Sequence, residues 1–160
     1  MPLVGNEDDA QPVPVLRPAS ISDLADLVRL TRAFYDEDGF TTSSDDIRVR
    51  LERFLATSDA RISVATDANV PYAFALTTIQ LVLESGLVAE LQDLFVDPAH
   101  RRSGTANALI EDAASWAQLK SASLLEVVVA PNGREIDHLI RYYTARHFTD
   151  QGRRLLSRVL

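Results

Sequence analysis

The sequence predicts a single α/β (α+β) domain on a mixed sheet, in the order β-α-α-β-β-β-α-β-α-β-β. Three observations carry that reading. Two amphipathic helical patterns precede three strand patterns joined by tight turns. A strand, a helix and a continuously apolar strand then follow at the spacing of a right-handed crossover, which makes those two strands parallel. The strand entering the crossover, AELQDLFV, breaks its alternation, so the central parallel strands are expected to splay.

Residues 1–13 are polar and proline-containing and read as a flexible tail, leaving 14–160 as one domain. VLRPAS is a short strand ended by Pro18. In the next segment Ser20 and Asp23 form a capping box, Leu24, Leu27, Val28, Thr31 and Phe34 share one helical face, and Gly39 stops the helix. A second helix starts at Ser43 or Ser44, with Asp45 and Asp46 suiting its dipole and Ile47, Leu51, Phe54 and Leu55 forming its apolar stripe. RISVATD, VPYAFALTTIQLVL and LVAELQDLFVD make an antiparallel meander, turning at Asp67-Ala68-Asn69 and Ser85-Gly86. Ala106, Leu109, Ile110, Ala113 and Ala117 set a helix of about four turns from near Gly104. SLLEVVVAP (123–131), with its β-branched run Val127–Val129, reads as a strand buried on both faces. REIDHLIRYYTARH (134–147) is a last helix, and FTDQGRRLLSRVL is expected to form two short strands turning at Gln151-Gly152.

Composition narrows the function classes. The net charge of −7 repels nucleic acid and anionic membrane, and neither is expected as a partner. Without cysteine there is no disulfide, thiolate catalysis or cysteine-ligated zinc, which fits a reducing cytoplasm. No apolar run reaches the roughly 20 residues of a membrane span. His100, His138 and His147 are scattered without metal-ligand spacing, so no metal is expected.

The informative stretch is DPAHRRSGTANALIEDAASWA (97–117), where a strand hands over to a helix. A helix N-terminus offers free N–H groups and partial positive charge. Gly104 allows close backbone approach, Ala106 keeps bulk away, and Arg101 and Arg102 add donors; together these describe a phosphate cradle. Taken alone, the loop reads rather more readily as a surface turn with solvated arginines. The flanking strand changes the balance. A splayed strand opens a slot lined by free backbone groups, in which an extended amide-bearing ligand lies with its phosphate end in the cradle. Pantetheine plus pyrophosphate, as in coenzyme A, has that form.

LQDLFVDPAHRRSGTANALI resembles the acetyl-CoA signature of the GCN5-related N-acetyltransferases (GNAT), a strand ending in V-x-P followed by R-x-x-G-x-G/A. YYTARHF (142–148) resembles their later Y-x-x-x-G-F segment, with His147 in place of the usual glycine, and the element order is similar from Val15 onward. Within the family the stretch looks most like the polyamine and small-amine acetyltransferases, although Gln92 stands where those have Glu.

The resemblance implies direct attack of an amine on the thioester of acetyl-CoA. It gives Tyr143 the role of protonating the thiolate and the backbone of Leu94, Phe95 and Val96 that of holding the oxyanion and pantetheine. Arg101, Arg102, Ser103, Gly104, Thr105 and Ala106 would cradle the pyrophosphate, and Asn132 would bond the pantetheine. A general base must neutralise an amine of pKa about 10. Glu90, alternating with Gln92 on one side of the strand, is assigned that role, with a solvated strand residue as the competing reading. Asp93 reads at least as well as a ligand of backbone N–H groups. Asp36 and Glu37, beside Phe34, Tyr35 and Phe40, and Gln92 are the candidate contacts to a cationic small-amine substrate. A protein N-terminus or lysine is the alternative acceptor, and a non-catalytic acyl-CoA-binding module the alternative class. The terminal strand offers an edge for a homodimer.

Overall fold

The computed structural model describes residues 13–131 and 135–160. Strand β1 (Val15–Pro18) leads through a short 3-10 turn into α1 (Leu24–Asp38), followed by α2 (Ser44–Ala56), β2 (Ala60–Asp67), β3 (Val70–Val82) and β4 (Gly86–Val96). Helix α3 (Thr105–Leu119), β5 (Leu124–Val127) and α4 (Asp137–Thr144) complete the elements. The sheet has the spatial order β1-β2-β3-β4-β5, antiparallel through β4, with β5 parallel to β4.

Local chemistry explains the boundaries. Ser20 and Asp23 form the expected capping box before α1, and Gly39 closes the helix in the left-handed region at φ 78°. The Ser43 side chain accepts from the Asp46 N–H to cap α2. Ala68 and Asn69 are both left-handed, as a two-residue hairpin turn requires. Asp23 is 5% exposed and is held by two 2.8 Å bonds from the Arg17 guanidinium, which fastens the start of α1 to β1.

The sheet separates two apolar clusters. On one face α1 and α2 pack Leu27, Leu30, Ile47 and Leu51 against Val64, Phe74 and Phe95. On the other, α3 packs Leu109, Ile110 and Ala113 against Ala65, Ala73, Ala75 and Leu91. The small alanines on that face let α3 lie close to the strands. Leu27 and Leu109 are fully buried, so truncating either to Ala costs about 2–5 kcal/mol.

Three sequence expectations need correction. The apolar stretch 123–131 forms only the four-residue β5, which is half-buried, because β5 is the sheet edge and has no outer neighbour. The last helix begins at Asp137, later than expected, and 134 lies outside the described residues. The two terminal strands do not form: Leu155, Leu156, Val159 and Leu160 are 75–111% exposed. A strand pattern needs a ladder and a covered face, and this segment has neither. Its turn is nonetheless present, with Gly152 left-handed and its N–H donating to Asp150 Oδ1 at 2.8 Å.

Candidate active site

The site grows from the irregularity in β4. The β3–β4 register runs Leu76↔Asp93 and then Thr77↔Leu91, so Gln92 is an extra residue, a β-bulge, as its broken alternation predicts. Past the bulge, β4 leaves β5: the two pair only from Val88 to Leu91, and β5 ends at Val127 while β4 runs on to Val96. The splay is therefore real. Its direction follows from one bond. Asp97 donates its N–H to the Tyr72 carbonyl on β3 at 2.9 Å. Alternation then turns the main-chain groups of Val96 and Leu94 away from β3, toward the gap beyond β5. Arg101 Nε caps the Val96 carbonyl at 2.9 Å. The N–H groups of Leu94 and Val96 thus line a slot.

The slot leads to the N-terminus of α3. Arg102 and Gly104 are both left-handed, at φ 62° and 78°, which curls the loop over the helix end. The first backbone bond into α3 is Ala108 N–H to Gly104 O (3.0 Å), so the earlier amides point outward from the helix end. A Cβ on Gly104 would meet nothing within 4 Å, which leaves the approach open. Inward, Ser103 Oγ donates to His100 O (2.6 Å) and bonds Thr105 Oγ1 (2.8 Å), and Thr105 is 2% exposed. The two hydroxyls brace the loop and the backbone makes the cradle, an arrangement that fits a pyrophosphate.

On the opposite face of the sheet, a cleft of about 220 Å³ lies between α1, α2 and the strands, with Asp93, Gln92, Tyr35 and Thr31 on its walls. Burial, then the charges of Asp38 and Glu90, push the Asp93 carboxyl up to about 6. Gln92 Nε2 donates to Thr78 Oγ1 (2.8 Å), and Thr78 is the cross-strand partner of Glu90, so all three share that face as the alternation implies. Tyr143 packs edge-on against Tyr142 (5.3 Å) and Phe148 (5.4 Å), in the cluster that holds Leu94 and Ala106. Burial, reinforced by Tyr142, pushes its phenol up to about 12, so it stays protonated. His147 takes the left-handed conformation at φ 69° where the family pattern has glycine.

The structure thus brings Leu94, Val96, the loop from Arg102 to Ala106 and Tyr143 to the slot, with Glu90 and Asp93 on the other face of the sheet. Phe95, Arg101, Glu37 and Asp36 fall elsewhere. The main-chain groups of Phe95 turn toward β3 by the same alternation, and its ring packs in the α1 and α2 cluster. Arg101 spends its guanidinium on the Val96 carbonyl and on Glu37, so it positions the loop, and Glu37 is its partner rather than a wall of the cleft. Asp36 pairs with Arg32 at 2.8 Å. Asn132 lies outside the described residues. Asp93, read from sequence as a backbone ligand, is the carboxylate that lines the cleft. Thr31 and Arg50 on the same walls were missed, and Tyr35 was read only as an aromatic beside Asp36 and Glu37. Thr31 was legible only as a member of an apolar stripe, and a polar residue inside such a stripe is the signal that was passed over.

Comparison with known proteins places this geometry. Residues 24–148 match the acetyltransferase (GNAT) family. An aminoglycoside N(6')-acetyltransferase type 1 from Acinetobacter haemolyticus is 28% identical over 107 residues, 64% of this chain and 70% of that protein. An integron cassette protein from the mobile metagenome of Cole Harbour Salt Marsh is 26% identical, with a TM-score of 0.79 over 91% of this chain and 90% of its own. The aminoglycoside acetyltransferase AAC(6')-Iy, solved with a bisubstrate analogue joining CoA to acetylneamine, has the same fold at 20% identity, with a TM-score of 0.81 over 93% of this chain and 99% of its own. These relatives do not single out the polyamine branch. With its cradle, splayed strand and family match in agreement, the chain belongs to the acetyltransferase (GNAT) family and is an acyltransferase.

Proposed function

We propose that the protein transfers the acetyl group of acetyl-CoA to a primary amine of a small molecule by direct attack. The observation that carries this reading is the bulged β4 strand. It turns the Leu94 and Val96 amides into the coenzyme slot and carries Asp93 in a cleft on the other face. The aminoglycoside acetyltransferases among its relatives support an amine acceptor.

In the proposed step the amine nitrogen bonds the thioester carbon and the C–S bond breaks. Asp93 takes the amine proton, directly or through water; its raised pKa keeps it ionised at neutral pH yet close enough to accept usefully. Glu90 raises that pKa from the same face and is the neighbour of the base. The Leu94 N–H receives the oxyanion. Tyr143 gives its proton to the departing thiolate, a role that suits a phenol kept neutral by burial.

The coenzyme is bound by backbone amides from Arg102 to Ala106. Calorimetric titration with acetyl-CoA and with its fragment lacking the pyrophosphate tests this. Binding retained without the pyrophosphate rejects the cradle. Release of free thiol with a panel of amines tests the transfer, and no release with any amine rejects it.

Residues 14–160 are taken as one acetyltransferase domain acting in the cytoplasm. A homodimer is proposed on the open edge of β5 and the exposed apolar residues of the C-terminal segment. A light-scattering mass of one chain rejects it. Among the described residues, no helix is long and apolar enough to cross a membrane.

A further inference from the structure

The cleft between α1, α2 and the sheet holds groups that acetyl transfer itself does not use. Thr31 is 4% exposed, and its Oγ1 is buried on the cleft wall without a hydrogen-bond partner among the described residues. A buried hydroxyl left unpaired costs stability, and valine has the same shape without that cost. A hydroxyl kept in such a place matches a polar group that arrives with a ligand.

Arg50 on α2 lines the same cleft. Among the described residues its guanidinium meets no carboxylate, whereas Arg32 on the facing helix holds Asp36 and Arg101 holds Glu37. The Tyr35 hydroxyl, half buried on the same wall, feels the negative charge of Asp93 and the positive charges of Arg50 and Arg32. Beyond burial, the charges that raise the Asp93 carboxyl are those of Asp38 and Glu90. The cleft wall therefore carries charge of both signs, the Asp93 carboxylate and the Arg50 guanidinium, together with the hydroxyls of Tyr35 and Thr31. A polyamine or other polycation meets repulsion at Arg50. A simple alkylamine leaves Arg50 and Thr31 unmatched.

Resting on the acetyltransferase reading above, we propose that the acceptor is an amine that also carries an anionic group, a carboxylate or a phosphate, with its amine toward Asp93 and its anion on Arg50. An Arg guanidinium suits either anion, because both offer two oxygens to its donors. Thr31 then donates to, or accepts from, the polar segment between the two ends.

The test is thiol release from acetyl-CoA with matched acceptors of increasing chain length: amino carboxylates, amino phosphates, amino alcohols and diamines. One anionic series is expected to exceed the alcohols and diamines in kcat/KM by about tenfold, the value of one charge-assisted hydrogen bond. The better of the two anionic arms identifies the anion. Arg50→Gln is expected to abolish the preference by raising KM with kcat unchanged, and to leave the amino alcohols as they were. Thr31→Val is expected to raise both the melting temperature and the KM of the anionic acceptor. Diamines or alcohols used as well as the anionic amines, or an Arg50→Gln effect equal across all four series, overturns the proposal and leaves the acetyltransferase reading standing. Acetyl-CoA binding with no thiol release from any series overturns both.

Discussion

Arg101 Nη2 touches both carboxylate oxygens of Glu37 at 2.8 Å while its Nε holds the Val96 carbonyl at 2.9 Å. One side chain thus fastens the end of β4 and the coenzyme loop to the C-terminal end of α1. Both partners are nearly half exposed, so the pair is worth roughly 0–1 kcal/mol. Arg101→Gln and Glu37→Gln are each expected to weaken acetyl-CoA binding by about threefold, and the double variant no further. Calorimetry on the four proteins decides. A loss with Arg101→Gln far beyond that with Glu37→Gln means that Arg101 touches the pyrophosphate directly.

Asp93→Asn removes the proposed base. The expected loss in kcat is about 100-fold or more, with acetyl-CoA affinity unchanged. In the parent protein kcat/KM should climb as pH rises through about 6, where Asp93 ionises. An unaltered pH profile in the variant returns the base role to Glu90.

The same substitution has a stability signature of definite sign. A carboxyl whose folded pKa is raised binds its proton more tightly folded than unfolded, so stability falls as pH rises from about 4 to about 6 and is level above that. At neutral pH Asp93→Asn should therefore stabilise the protein, by roughly 1–3 kcal/mol. Urea titration at neutral pH and at pH about 4 checks it, and the gain should vanish at the lower pH.

Tyr143→Phe keeps the ring contacts with Tyr142 and Phe148 and removes the hydroxyl. A fall in kcat of about 100-fold with unchanged coenzyme affinity is expected of a general acid. Equal kcat in the two proteins reduces Tyr143 to a packing residue.

Asp23 behaves in the opposite sense to Asp93. The Arg17 guanidinium holds its carboxyl down at about 2, so it contributes stability above pH about 4 that is lost as pH falls toward 2. Asp23→Asn leaves Arg17 facing an amide and should cost about 2 kcal/mol at neutral pH. It should also flatten the acid limb of the unfolding curve, which circular dichroism would follow.

The meander, both N-terminal helices and the crossover were legible because each has its own period and its own punctuation. Capping at Ser20 and Ser43, the turn at Asp67-Ala68-Asn69 and the stop at Gly39 are local chemistry that sequence displays directly. The bulge was legible too, since two adjacent polar residues cannot both obey a period of two. What it did with Asp93 was not, because the field of Asp38 and the walls of α1 and α2 come from distant parts of the chain. The Arg101–Glu37 pair was hidden for the same reason, and so a loop arginine and a helix-end glutamate each looked available to a ligand. The terminal strands failed differently: alternating apolar residues state a preference, and only a neighbouring ladder fulfils it.

The sheet with separate helices on its two faces has a consequence for how such a protein diversifies. The cleft proposed for the acceptor takes its helical walls from α1 and α2, encoded before residue 57, while the proposed coenzyme loop and α3 lie after residue 96 on the other side. On that reading the two specificities are written in separate stretches of the gene and meet at the sheet and at the Arg101–Glu37 pair. Exchanging the first stretch between relatives is expected to retune what is modified and spare the donor. The bulge at Gln92 is the shared punctuation that both halves must keep.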